Sequence, residues 1–231
     1  MLKEKQIIVF DLDGTLINSA PDLCFALNET LKEINIPSIT LQEVMGYLGD
    51  GALELIKKGI SKYNNINEYD LEKLRIRFLE IYDKCLLNET NFFENTQEAL
   101  EKLKNNNFTL AICTNKPEVL AKRIINGLNA SHYFDIITGG DTFDFRKPDP
   151  RHLSQTIFKT GKNIREAIMV GDSINDIECA KSNNIPSIVV SFGYSKIPVE
   201  KLNANIIMSD YKNIFTHIQQ INDKKHKTQD R

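Results

Sequence analysis

The sequence predicts an α/β fold, a Rossmann-like parallel sheet core with an α-helical cap inserted after its first strand. Three observations predict it. Four short apolar runs rich in β-branched residues have the continuous hydrophobicity of strands covered on both faces. Segments of helical period lie between them, the alternation that builds a parallel sheet with right-handed crossovers. From about residue 19 to residue 91, however, no such run occurs, only amphipathic helices. The expected division is a discontinuous core over 1–18 and 92–222, a helical cap over 19–91, and a flexible tail over 223–231, a stretch without an apolar residue.

Along the chain, the first run is Gln6-Ile7-Ile8-Val9-Phe10, which stops at Asp11. The helical stretch follows. One helix carries Leu23, Leu27, Leu31 and Ile34; a second opens at Thr40, with Glu43 completing a capping box; a third spans about 52–60; a long fourth carries Leu71, Leu74, Phe78, Ile81 and Leu86. Back in the core, 98–104 reads as a helix with Ala99, Leu100 and Leu103 inward and Asn95 and Glu98 as its capping pair. The second run is Thr109-Leu110-Ala111-Ile112-Cys113. Pro117 is placed in the first turn of a helix containing Val119, Ile124 and Leu128. The third and fourth runs are Ala167-Ile168-Met169-Val170 and Ser187-Ile188-Val189-Val190. Asp135-Ile136-Ile137-Thr138 and Ile206-Ile207-Met208 are weaker strand signals.

Composition excludes several classes of function. At 231 residues the chain can bury a core without disulfide or metal staples. Its 29 basic and 31 acidic residues give a net charge of −2, which argues against a nucleic-acid partner, whose binders carry a basic excess. That charge is uneven: residues 20–90 hold 12 acidic and 8 basic residues, a net of −4, which leaves +2 on the rest. No apolar run approaches the roughly 20 residues of a membrane span. The first run meets Asp11 too soon for a signal-peptide core. Cys24, Cys85, Cys113 and Cys179 are widely spaced and form no CxxC pair, so no disulfide or zinc site is expected and a cytoplasmic location is. A monomer or a homodimer is the expected assembly.

Three of the strong runs end in chemistry. The first is followed by Asp11-Leu12-Asp13-Gly14-Thr15, the second by Thr114-Asn115-Lys116, the third by Gly171-Asp172-Ser173-Ile174-Asn175-Asp176. In open α/β sheets ligands bind beyond the carboxyl ends of the strands, so four carboxylates, a hydroxyl and an amide converge on one crevice. A basic residue is available in Arg146-Lys147-Pro148-Asp149-Pro150. Clustered acids need a cation, and oxygen ligands without nearby His or Cys select Mg²⁺. A carboxylate beside Mg²⁺ with a lysine nearby suits phosphoryl transfer, where positioning and charge stabilisation dominate. Asp11 can then act as nucleophile and Asp13 as the acid and base that serves the leaving oxygen and water. Ser173 reads as a helix cap, Arg146 as a surface or flap residue and Cys113 as strand packing; His132, His152, His217 and His226 receive no role.

The ordered set DLDGT, TN, KP and GDSxxD resembles the haloacid dehalogenase-like superfamily of phosphatases, over nearly the whole chain. The resemblance implies Asp11 as nucleophile and magnesium ligand, and Asp13 as general acid/base whose backbone carbonyl reaches the metal. It implies Thr114 and Asn115 as phosphoryl-binding groups, Lys147 as the balancing cation, Asp172 as a metal ligand and Asp176 as support behind it. The acid at position 13 points to phosphate esters, since dehalogenases and phosphonatases of the superfamily lack it. Ser19-Ala20-Pro21-Asp22-Leu23, Gly139-Gly140-Asp141 and the cap loop with Gly46, Gly49, Asp50 and Gly51 are similar to the superfamily's phosphoglycolate phosphatases. That likeness implies a small phosphorylated metabolite, 2-phosphoglycolate first, split to glycolate and phosphate. A β-phosphoglucomutase-like mutase, a pyrophosphatase and an inactive binding protein on the same scaffold are the alternatives.

Overall fold

In the computed structural model, which describes the backbone of residues 6–229 and the side chains of residues 6–224, the order of elements is β1 (Ile7–Phe10), β2 (Ile17–Asn18), α1 (Ala20–Glu33), α2 (Leu41–Met45), α3 (Ala52–Ser61), α4 (Leu71–Cys85), β3 (Asn91–Phe92), α5 (Thr96–Asn105), β4 (Thr109–Cys113), α6 (Glu118–Gly127), β5 (Ile136–Thr138), α7 (Pro150–Lys159), β6 (Ala167–Gly171), α8 (Ile174–Ser182), β7 (Ser187–Val190), β8 (Ile206–Met208) and α9 (Ile214–Gln229). Six strands form one sheet in the order β5-β4-β1-β6-β7-β8. Every neighbouring pair is parallel. The four strong runs take the centre and the two weaker ones the edges, where one flank has no strand to cover it.

Alternation along the strands divides the core between two faces. Ile8, Phe10, Ile112 and Val170 pack with α5, α6 and α9 through Leu100, Ile124 and Ile218. Ile7, Val9, Ala111 and Met169 pack with α7 and α8 through Leu153, Ile157 and Cys179. Both faces of β1 are fully buried, which is why its four residues, Ile7 to Phe10, are all apolar. Phe10 sits in register with Ile112 on β4 and Val170 on β6. The chain therefore leaves all three strands at one level, and Asp11, Thr114 and Asp172 emerge together.

The stretch between β2 and β3 is helical. Leu27, Leu31, Leu55, Ile56, Phe78 and Tyr82 of α1, α3 and α4 form its buried interior. The capping box forms as expected: Thr40 Oγ1 accepts from Glu43 N, and Glu43 Oε2 accepts from Thr40 N at 3.1 Å. β2 and β3, two residues each, pair antiparallel where the chain leaves and returns. Beside them the buried Asp22 accepts from Glu89 N (3.1 Å), Thr90 N (2.9 Å) and Thr90 Oγ1 (2.7 Å). Among the described residues no helix is long and apolar enough to cross a membrane.

Three local expectations differ from the structure. Asn95 does not cap α5 through its side chain: it lies in the left-handed region at φ 62°, and its amide donates instead to Asp210 Oδ1 at 3.0 Å. Pro117 precedes α6 rather than entering it, and the first helical amide, Glu118 N, donates to Asp141 Oδ1 at 2.7 Å. A cap supplied from 23 residues away leaves no local pattern. Helical backbone also continues through Gln229, into the segment expected as a tail; extending an existing helix needs no new nucleus. Asp230 and Arg231, also assigned to that tail, lie outside the described residues.

Candidate active site

The site is assembled from the turns that follow β1, β4 and β6 and from the loop before α7. After β1 the chain must turn at once, and Gly14 makes the turn possible. Its φ is +83°, and a Cβ there would stand 2.5 Å from Asp172 Oδ2. Asp172 accepts from Tyr194 N (2.7 Å) and Thr15 Oγ1 (3.3 Å). Asp176, in the first turn of α8, accepts through Oδ2 from Ser173 N (3.0 Å) and Ser173 Oγ (2.7 Å). Its other oxygen, Oδ1, lies 2.6 Å from Lys147 Nζ, and the same ammonium is 2.8 Å from Asp11 Oδ1.

Asp11, Asp172 and Asp176 are all buried, and each offers an oxygen within 4.8 Å of the others. Burial and the neighbouring Asp176 push the Asp11 carboxyl up to about 6, against the pull of Lys147. Burial, with Asp176 and Asp11, raises Asp172 well above the usual carboxylate range. Burial alone would lower Lys147, but Asp11 and Asp176 outweigh it and hold the ammonium charged. One cation among three carboxylates leaves the cluster short of positive charge, and its donors are all oxygen. That set fits a hard divalent ion.

Lys147 is fixed at both ends. Its backbone N donates to His152 Nδ1 (3.2 Å), and its carbonyl accepts from Asn115 Nδ2 (2.9 Å). The Asn115 amide also donates to the carbonyl of Gly49 in the helical segment, at 3.0 Å. Beside this cluster opens a cavity of about 540 Å³, counting its mouth. Asp11, Asp13, Thr114, Asn115 and Lys116 line one side; Leu48, Leu55, Phe78 and Leu79 line the other. The Asp13 carboxylate is turned to Lys116, whose Nζ lies 2.9 and 3.0 Å from its two oxygens, and it accepts from Ser19 Oγ as well. Two carboxylates, a threonine hydroxyl and a paired ammonium thus line one apolar-backed cavity.

A family model described as haloacid dehalogenase-like hydrolase matches residues 8–190. The chain belongs to the haloacid dehalogenase-like hydrolases. Within that family it is similar to a phosphoglycolate phosphatase of Agrobacterium fabrum, 39% identical over 89% of this chain and 88% of the relative. It is also similar to one of Aquifex aeolicus, 36% identical over 83% and 87%. Among solved structures, a predicted phosphoglycolate phosphatase from Haemophilus somnus superposes with a TM-score of 0.87 at 30% identity, covering 94% of this chain and all of that one.

In this hydrolase the residues singled out from sequence come together in part. Asp11, Asp13, Thr114 and Asn115 line the cavity; Lys147, Asp172 and Asp176 stand behind Asp11. Of the loop residues, Gly49 and Gly51 line the cavity. Gly46 instead packs on Lys196, and Asp50 is held between Lys58 Nζ (2.6 Å) and Asn175 Nδ2 (2.9 Å). Lys116, named with Thr114 and Asn115 after the second run, had no role assigned from sequence, and neither had His152. No local signal marks His152, because its partner is the backbone of Lys147. Tyr194 also escaped notice: its hydroxyl accepts from Ser19 N (2.9 Å) and Ala20 N (3.1 Å), at the start of α1.

Proposed function

We propose that this hydrolase is a magnesium-dependent phosphatase that splits 2-phosphoglycolate to glycolate and phosphate through an aspartyl phosphate. The observation that carries the phosphatase reading is the position of Asp11, at the cavity wall in front and against Lys147 and two further carboxylates behind. The substrate rests on the relatives at 36–39% identity, which are phosphoglycolate phosphatases.

In this reading an Asp11 oxygen attacks phosphorus and the bond to the ester oxygen breaks. Asp13, in its protonated form, gives that oxygen its proton, and as the resulting carboxylate it takes a proton from the water that attacks the aspartyl phosphate and releases free phosphate. Thr114 and the backbone amide of Asn115 hold the phosphoryl oxygens, the Asn115 side chain being spent on the carbonyls of Gly49 and Lys147, and Lys147 offsets the charge shared by Asp11 and the phosphoryl group. Asp11, Asp172 and the carbonyl of Asp13 would hold Mg²⁺, with Asp176 behind them; the ion supplies charge neutralisation at the phosphoryl oxygens. Residues 19–91 act as a cap over the crevice. Gly49, hydrogen-bonded to Asn115 and to Asn175 (3.3 Å), is where that cap meets the core.

The test is phosphate release from phosphoglycolate, pyrophosphate, sugar phosphates and nucleotides, with and without Mg²⁺, for the native chain and Asp11→Asn. A dominant, magnesium-dependent kcat/KM on phosphoglycolate, lost in Asp11→Asn while the fold survives, is expected. Near-native turnover by Asp11→Asn would remove the nucleophile assignment. A flat substrate profile would remove phosphoglycolate.

A further inference from the structure

The cavity has a strongly asymmetric lining. Beyond the carboxylates its far wall is hydrocarbon, Leu48, Leu55, Phe78 and Leu79, and an anionic leaving group pressed against it would lose its hydration without compensation. Lys116 is the one cation lining the cavity among the described residues. Of the cations nearby, Lys58 holds Asp50, Lys196 stands over the Tyr47 ring at 4.8 Å, and Arg146, which flanks Gly51, is exposed and does not line the cavity. The helical segment as a whole is negative, so long-range attraction does not bring an anion to this wall.

Lys116 is built for a fixed position. Its side chain is 4% exposed. Its ammonium is held by the Asp13 carboxylate and by Tyr82 Oη at 2.7 Å, and lies over the Tyr82 ring, 4.6 Å from the centroid. A carboxylate and a phenol can be served by two of its three protons, which leaves one for a ligand. Its distance from Asp13 matters most. In the proposed reaction Asp13 meets the ester oxygen, so a group next to Asp13 faces whatever the leaving group carries one carbon further on.

We infer that Lys116 is the specificity-determining residue that receives a carboxylate on the leaving group, so that the pocket selects phosphate esters of small 2-hydroxy acids. This rests on the phosphatase reading above and extends it to the non-phosphate end of the substrate.

The test compares 2-phosphoglycolate with 2-hydroxyethyl phosphate, which differs mainly in carrying a hydroxyl where the other has its carboxylate, and with 2-phospholactate. Wild type, Lys116→Met and Lys116→Arg are assayed, with circular dichroism to confirm folding. Removing Lys116 also strips Asp13 of its partner, but that loss falls on all three esters and cancels in the ratio of kcat/KM values. Wild type is expected to favour phosphoglycolate over hydroxyethyl phosphate by about 100-fold, the size of one buried charge-paired contact. Lys116→Met should collapse that ratio to within about 3-fold, mainly through KM. Lys116→Arg should keep most of it. A Lys116-dependent preference that is stronger for phospholactate would support the inference while displacing phosphoglycolate as the substrate. An unchanged ratio in Lys116→Met, or a wild type that shows no preference for the carboxylate, would overturn the inference and leave the phosphatase reading standing. Absence of hydrolysis of every ester would overturn both.

Discussion

His152 couples acid to the stability of the site. It is fully buried, and burial, followed by the repulsion of Lys147, lowers its imidazole from 6.5 to about 4. The folded protein therefore resists protonating a group that the unfolded chain protonates freely. With its folded value below its unfolded one, His152 contributes its full stability above pH 6.5 and loses it as the pH falls through 4. A depression of about 2.5 units corresponds to about 3 kcal/mol between pH 7 and pH 4. The comparison is wild type against His152→Asn, whose amide oxygen can accept from Lys147 N but does not titrate in this range. Urea unfolding at pH 7 and pH 4, in chelator so that metal occupancy does not change with pH, gives the two stabilities. Wild type should lose about 3 kcal/mol more than the variant over that interval, which for a chain of this length is roughly 6–12 °C in melting temperature. Parallel pH dependence in the two proteins would refute the reasoning, because it would mean that His152 titrates normally or is not held against Lys147.

Two further substitutions probe the cluster itself. Lys147→Met leaves Asp11 and Asp176 without their shared cation, and should abolish phosphate release and cost about 3–5 kcal/mol in chelator; a loss below 1 kcal/mol would show that the carboxylates do not depend on it. Gly14→Ala forces a side chain into a backbone at φ +83° and against Asp172 Oδ2; it should cost at least about 2 kcal/mol in thermal unfolding and lower activity with every substrate alike, whereas native-like melting would show that the turn can relax.

Much of this molecule was legible in its sequence because its signals are local. Strands buried on both faces read as continuous apolar runs, and the four strongest became the four central strands. Residues that must stand at strand ends fall directly after those runs, which is how Asp11, Thr114 and Asp172 could be named together. What escaped depends on distance in space. Lys116 gains its meaning from Asp13 and Tyr82, 103 and 34 residues away. His152 is defined by the backbone it accepts from, and the left-handed turn at Asn95 by Asp210, far along the chain. The loop glycines illustrate a middle case. Gly51 caps α3, at φ +89°, and it also lines the cavity: the turn is a local signal, and the place at the cavity is not.

The pairing of β2 with β3 has a consequence for descent. Ile17 lies opposite Phe92 and Asn18 opposite Asn91, and Asp22 fastens the returning strand to the first turn of α1. From the side of the sheet, more than seventy residues thus occupy the place of a hairpin turn. Whatever hangs from such a paired stem can be lengthened, repacked or exchanged without disturbing the register of β1 with its neighbours. The groups at the strand ends and the helical segment that faces them are free to change on separate schedules, and a graft of a foreign helical segment onto this stem has its seam already made.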